Sequence, residues 1–365
     1  MKKGVRDSQI EFARLIACMI VVMTHVNTVT GDVNEPMFLQ TIRKCMLADG
    51  VPVFWMIAGM FMFNGTDYGK KWKSVIKKVL IPTFFLYVIA YLMSNFLYAA
   101  PGTGIFEGLS VQDFFTVFLA PLLSANHPSS AVAAHTWYVI AYFLVMLFLP
   151  LIKLFVDWLD VSRIRQVVFG VFSFALLVFN DITYNHLLNL GFSGVPVLIG
   201  AYIMIIDGHI LYKYRHIISH KIFCLIMPIA FVVINYFRAI CVEHGKTIGE
   251  ENYIDLTWWT TSFSVLTAIC IIGFSLSVIN AEDSRFNRII NYIASYTFGI
   301  YLLHPLVVGV LYRLGYFDSI VLCFGNNVIV AVLLSILITF LMVFAMSFII
   351  SWTLRWVINA LKKIN

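Results

Sequence analysis

The sequence predicts an all-α, polytopic integral membrane protein with about ten transmembrane helices and both termini in the cytoplasm. Three observations predict it. The 365-residue chain is 61% hydrophobic and only 12% charged, whereas a soluble domain carries about 25% charged residues. Apolar stretches of about twenty residues recur from end to end, each long enough to cross a bilayer as a helix with its backbone bonded internally. The cations follow the positive-inside pattern.

The spans are predicted at about 11–29, 46–64, 76–98, 136–156, 167–181, 187–206, 222–241, 258–279, 291–312 and 327–354. They form a single transmembrane domain over residues 1–365. Of the 25 Lys and Arg, nineteen fall on the side of the N-terminus, five on the other, and Arg14 within the membrane. The first residues are polar and basic with no small-residue cleavage site after them, so a cleaved leader is not expected. The net charge of +6 is spread over short loops and does not indicate nucleic acid. The six cysteines show no CxxC spacing and mostly fall inside spans, as small apolar residues do. No metal site is expected.

The first span, Glu11 to His25, is apolar yet carries an arginine near one end and a histidine near the other. Arg14 and His25 are eleven residues apart, which returns them to one helix face about 16 Å apart along the axis. Glu11, three residues before Arg14, shares that face and is placed to pair with it. Snorkelling to the headgroups accounts for Arg14 alone; the ionisable pair on one face argues for a site. Two more histidines reach similar outer depth, His135 before Trp137 and Tyr138, and His304 in Tyr301-Leu302-Leu303-His304-Pro305. Pro305 removes a helix hydrogen bond there and frees a carbonyl. Histidine exchanges a proton near neutral pH, which suits acid–base work.

The cluster Lys70, Lys71, Lys73, Lys77 and Lys78 lies between spans two and three. An ordinary positive-inside loop explains it, and so does a cytoplasmic mouth for a polyphosphate-bearing donor; both readings stay open. Asn180, Asp181, Tyr184, Asn185 and His186 read as a polar outer turn. The outer loops 99–135 and 242–257 are long but too short to form domains.

Four stretches together resemble the membrane acyltransferase family 3, the bacterial O-acyltransferases of surface glycans. They are Glu11 and Arg14 followed by His25; the run Val51-Pro52-Val53-Phe54-Trp55-Met56-Ile57-Ala58-Gly59; His135-Thr136-Trp137; and Gly299 through Pro305. Ala58 stands where the family usually has serine, and lysines stand where the loop after span two often has arginines.

The resemblance implies an acetyl-CoA donor bound from the cytoplasm and a hydroxyl acceptor on a surface or lipid-linked glycan at the outer face of a bacterial inner membrane. It implies His25, Arg14 and His304 as catalytic, and Glu11, His135, Trp137, Tyr138 and Tyr301 as substrate-binding. Arg14, Lys70, Lys71, Lys73 and Lys77 would hold the donor. No SGNH-type domain follows the last span, so direct transfer to the acceptor is expected. His25 as general base and His25 as acyl-carrying nucleophile both stay open. So do transfer of a succinyl group, a non-sugar acceptor, and assembly as a homodimer. The alternatives from other classes are a transporter or flippase of a lipid-linked glycan, and a sensor that binds the donor without turnover. Against the transporter, the spans read as nearly free of acidic residues and no internal repeat is visible.

Overall fold

The computed structural model describes residues 6–30, 37–65, 67–98, 110, 114–115, 137–182, 194–247, 256, 261–280, 284–324 and 328–364. Among them there is no strand. Helices α1 (Ser8–Thr30), α2 (Met37–Leu47), α3 (Gly50–Met62), α4 (Tyr68–Val75) and α5 (Ile81–Tyr98) form the first third. The middle holds α6 (Trp137–Leu147), α7 (Leu149–Asp160), α8 (Arg163–Ile182), α9 (Gly194–Lys213) and the single turn α10 (Arg215–Ile218). Then come α11 (Phe223–Thr247), α12 (Ser262–Val278), α13 (Arg285–Ala294), α14 (Thr297–Arg313), α15 (Tyr316–Phe324) and α16 (Val328–Ile364).

A helix underlies each of the ten expected spans. Among the described residues, six helices are long and apolar enough to cross a membrane, or up to eight if each of two bent pairs counts as one span. The chain is thus a multi-pass helical membrane protein.

Local chemistry places the breaks. Helix α4 starts at Asp67, whose side chain accepts from Lys70 N–H at 3.0 Å, and α12 starts at Thr261, whose hydroxyl accepts from Ser264 N–H at 3.3 Å. Helices α6 and α7 meet at 68° around Phe148, where Pro150 opens the new helix without an N–H to satisfy. A π-helical turn, Ile76–Leu80, joins α4 to α5. Pro82 cannot donate to the Lys78 carbonyl one turn back, so the ladder re-registers there. Helices α13 and α14 meet at 52°.

These breaks revise three expected spans. The span expected from 76 begins at Tyr68, so Lys70, Lys71, Lys73, Lys77 and Lys78 sit on helical turns rather than in a loop. The spans expected at 136–156 and 291–312 are bent pairs, not straight rods.

The centre of the bundle is the crossing of α3 and α9, where two glycines interlock. A Cβ on Gly59 would lie 1.9 Å from the Ile205 carbonyl oxygen, and one on Gly208 would lie 2.1 Å from that of Met56. Lipid tails are as apolar as the helix faces, so helices associate in a bilayer mainly through close packing of this kind. Around the crossing lie Trp55, Met56, Met204 and Ile205, all fully buried.

A polar knot ties the start of α3 to α2, α11 and α12. Arg238 on α11, read from the sequence as an outer-side cation, is completely buried, as is Asp49 between α2 and α3. Its guanidinium donates to Asp49 Oδ1 at 2.8 Å, to the Cys45 carbonyl at 3.0 Å and to Ser264 Oγ at 3.1 Å. Asn235 Nδ2 donates to the other Asp49 oxygen at 3.2 Å. Asp181 is buried at the end of α8, accepting from the backbone and hydroxyl of Ser262 at 2.9 and 2.7 Å. Acidic groups are therefore present inside the bundle, contrary to the sequence reading, and their scarcity is no argument against transport.

Helix α13 lies apart in character. Phe286, Ile289 and Tyr292 are exposed along one of its faces, beside exposed Arg285 and Arg288, while Asn287, Ile290 and Ala294 are buried. That pattern fits a helix lying in the membrane interface. The start of α1 is fastened beside it. Asn291 Nδ2 donates to Ser8 Oγ at 2.9 Å, and Gln9 Nε2 donates to the Leu276 and Ile279 carbonyls at 2.8 and 2.7 Å.

Candidate active site

Helix α1 brings the site to the middle of the bundle, packed against α3, α12, α13, α14 and α16. The pair expected at its start forms. Arg14 Nη1 donates to both oxygens of buried Glu11 at 2.9 Å. Arg6 adds a second cation 3.5 Å from the same carboxylate. Glu11 thus fixes the guanidinium by one nitrogen, Nη1, and a planar guanidinium so held keeps its other donors for a ligand.

Those donors face two adjoining cavities. One, of about 410 Å³, is lined by Arg14, Ala58, Phe61, Lys71, Ser74 and Tyr142 among others. The next, of about 270 Å³, is lined by Arg14, Val79, Tyr138, Thr297, Phe298 and Tyr301 among others. Arg14, Phe54, Tyr138 and Tyr142 belong to both, so the two make one passage with the arginine at its waist. Its wall is aromatic: Tyr138 lies 4.5 Å from Trp55 and 5.8 Å from Tyr301, centroid to centroid.

One helical turn beyond Tyr301 stands His304, fully buried. Its ring and that of His25 lie 4.7 Å apart with planes tilted by 55°. The two histidines expected at similar depth on different spans therefore meet. Pro305 explains how His304 is aimed. In an unbroken helix, the N–H of residue 305 would bond the Tyr301 carbonyl; proline has none. The freed carbonyl receives His304 Nδ1 at 2.7 Å. A carbonyl only accepts, so Nδ1 carries the hydrogen, and in the neutral ring the lone pair lies on Nε2.

The remaining expected residues divide. Lys71 lines the wider cavity, but its Nζ also donates to the Met62 and Gly65 carbonyls at 2.9 Å each, closing the end of α3. Lys70 is exposed and pairs with Asp67 at 2.8 Å. Its ammonium, and then its N–H, hold the Asp67 carboxyl below its ordinary 3.8. Lys73, Lys77 and Lys78 are exposed and line neither cavity. Trp137 packs edge-on against Tyr138 at 6.0 Å. His135 and the outer residues Tyr184, His186, Trp258 and Trp259 lie outside the described residues. The sequence reading missed Ser74, Phe298 and Tyr142 as parts of the passage. The spacing of Tyr138 and Tyr142, one helical turn apart, was the only signal for the last of these. Among the described residues no group of three or more His, Cys, Asp or Glu is placed to hold a metal.

A passage with a fixed cation at its waist and a pair of imidazoles one helical turn past Tyr301 lie inside a helical membrane bundle; the class these define is a multi-pass helical membrane protein with an internal polar site. The family follows from comparison with known proteins. The sequence profile of acyltransferase family 3, described as an acyltransferase domain, matches residues 7–356, and the chain belongs to that family. It is a membrane acyltransferase. Comparison with curated proteins and with solved structures gave no significant match.

Proposed function

We propose that the protein transfers an acetyl group from cytoplasmic acetyl-CoA to a hydroxyl of a surface or lipid-linked glycan at the outer face of a bacterial inner membrane. The chain crosses ten times as one domain with both termini in the cytoplasm, which opens the Lys71 end of the passage to the donor. The observation that carries the reading is the His25–His304 ring pair one turn past a cavity that contains Arg14.

The donor fits the passage by charge and shape. Its phosphates suit Arg14 and Lys71. Its slim, partly apolar pantetheine arm suits the Tyr138–Tyr301 stretch, and its thioester would lie near the histidines about 16 Å along α1 from Arg14. The nucleotide is too bulky for these volumes and stays at the mouth.

In the proposed reaction the acceptor oxygen attacks the thioester carbonyl as its proton passes to imidazole. The carbon–sulfur bond then breaks, and the departing thiolate takes that proton, so ester and free thiol leave with no net proton change. His25 is the base. His304, held by the Tyr301 carbonyl, lies against it and shares the proton. Two imidazolium rings 4.7 Å apart would repel, so the pair holds one proton at a time, as a shuttle requires. Purified protein in nanodiscs with radiolabelled acetyl-CoA tests this. Release of CoA and label transfer should be lost in His25→Ala, with donor binding retained; full transfer by that variant would refute the assignment. Arg14→Ala should instead lose donor binding.

A further inference from the structure

A second cavity, of about 560 Å³, lies between α8, α9 and α12, where α8 stands off from its neighbours. Its walls include Gly170, Phe174, Val265, Leu266 and Ile269. A Cβ on Gly170 would meet nothing within 4 Å. Val171 and Ala175 are exposed along its rim, so it opens sideways toward lipid. Into this apolar groove α9 projects one ionisable group, Asp207.

Asp207 has no ion pair or hydrogen-bond partner among the described residues. The basic side chains that follow it on its own helix are committed elsewhere: Lys213 Nζ and His209 Nε2 lie 2.8 and 3.0 Å from Asp160. The polar end of the groove is closed as well. Tyr214 donates to Gln166 Oε1 at 2.7 Å, and Gln166 donates to Asp160 at 3.0 Å. An isolated carboxylate among hydrocarbon groups is costly unless it takes up a proton or a counter-charge joins it. The groove supplies room for that charge and for an apolar body attached to it.

We propose that this groove is a binding site for a lipophilic organic monocation, a hydrophobic amine or onium ion. Its charge rests on Asp207 and its apolar body lies against Phe174, Val265 and Leu266. The occupant enters from the bilayer, so the site is independent of the acyl-donor passage. The α3–α9 crossing at Gly59 and Gly208 separates the two.

The test uses the full chain in lipid nanodiscs with radiolabelled tetraphenylphosphonium as the probe. Saturable binding above that of protein-free discs is expected, weakened at least about tenfold in Asp207→Asn by loss of the counter-charge. Gly170→Leu, which fills the groove and leaves the carboxylate in place, should weaken it similarly. Acetyl-CoA binding should be unchanged in both variants, which reports that they are folded. Only unsaturable partitioning by the wild type, or wild-type affinity in Asp207→Asn, overturns the proposal. Should Asp207→Asn fail to fold, wild-type affinity in Gly170→Leu overturns it alone.

Discussion

Pro305→Ala should make the protein more stable and less active, and the hydrogen bond at Tyr301 sets both signs. Alanine restores a backbone N–H aimed at the Tyr301 carbonyl, which now accepts His304 Nδ1 at 2.7 Å. Proline inside a helix costs up to about 3 kcal/mol relative to alanine. The native kink already absorbs part of that, so a gain of about 1–2 kcal/mol is expected. The carbonyl must then be shared. A neutral hydrogen bond is worth about 1 kcal/mol net, so weakening it frees the imidazole to leave its aimed orientation by a factor of about five. The turnover rate should fall about five- to tenfold with KM for acetyl-CoA unchanged, because the donor contacts at Arg14 are untouched. Thermal unfolding in detergent reads the first effect and steady-state CoA release the second. A stabilised variant with wild-type turnover would refute the idea that the Tyr301 carbonyl positions His304.

Other substitutions test the packing that supports the site. Gly59→Ala must move Ile205 O from 1.9 Å to at least 3.0 Å from the new carbon; overpacking of that kind costs about 1–3 kcal/mol. Gly170→Ala meets nothing and should stabilise by about 1 kcal/mol on helix propensity alone; melting curves of the two variants should shift in opposite directions. Arg238→Met strands a buried Asp49 and should cost about 3–5 kcal/mol, while the double variant with Asp49→Leu should recover much of it; denaturant titration separates them. Asp67 has a depressed carboxyl pKa when folded. The stability it lends α4 is therefore complete above its ordinary 3.8 and is lost as pH falls through the lower folded value. Protection of the α4 amides, taken relative to the intrinsic exchange rate at each pH, should be lower at pH 3 than at pH 6, and equal protection at both would contradict this.

What the sequence made legible was whatever a single helix could carry. The Glu11–Arg14 pair follows from a spacing of three, and the shared face of Arg14 and His25 from a spacing of eleven. The freed carbonyl before Pro305 was legible too, though not that His304 would claim it. The meeting of His25 with His304 could be argued only from equal depth, because their separation in sequence carries no geometric signal. Arg238 and Asp49, 189 residues apart, were beyond such reasoning. An arginine near a span end looks like a loop cation until its partner is in view. The lysine cluster was placed between spans because a charged stretch suggests a loop, while the structure carries it on helical turns, where Lys70 pairs with Asp67 and Lys71 closes the end of α3 as well as lining the cavity. Gly59 stood out within a motif, yet its role depends on the backbone of α9 lying against it.

The fastening of α1 to α13 bears on how the protein meets membranes of different thickness. Hydrophobic mismatch is relieved by tilting helices or deforming lipid, at fractions of a kcal/mol per Å. Helix α13 has the exposure pattern of an interfacial helix, Ser8 ties α1 to it, and Gln9 ties α1 to the end of α12. With α13 at the interface, the level of Arg14 follows the headgroup plane rather than the hydrocarbon thickness. The reach from Arg14 to His25 lies within one rigid helix. A thicker bilayer should tilt loosely packed helices such as α8 long before it stretches the path between donor and proton shuttle, leaving turnover nearly flat across lipid chain lengths.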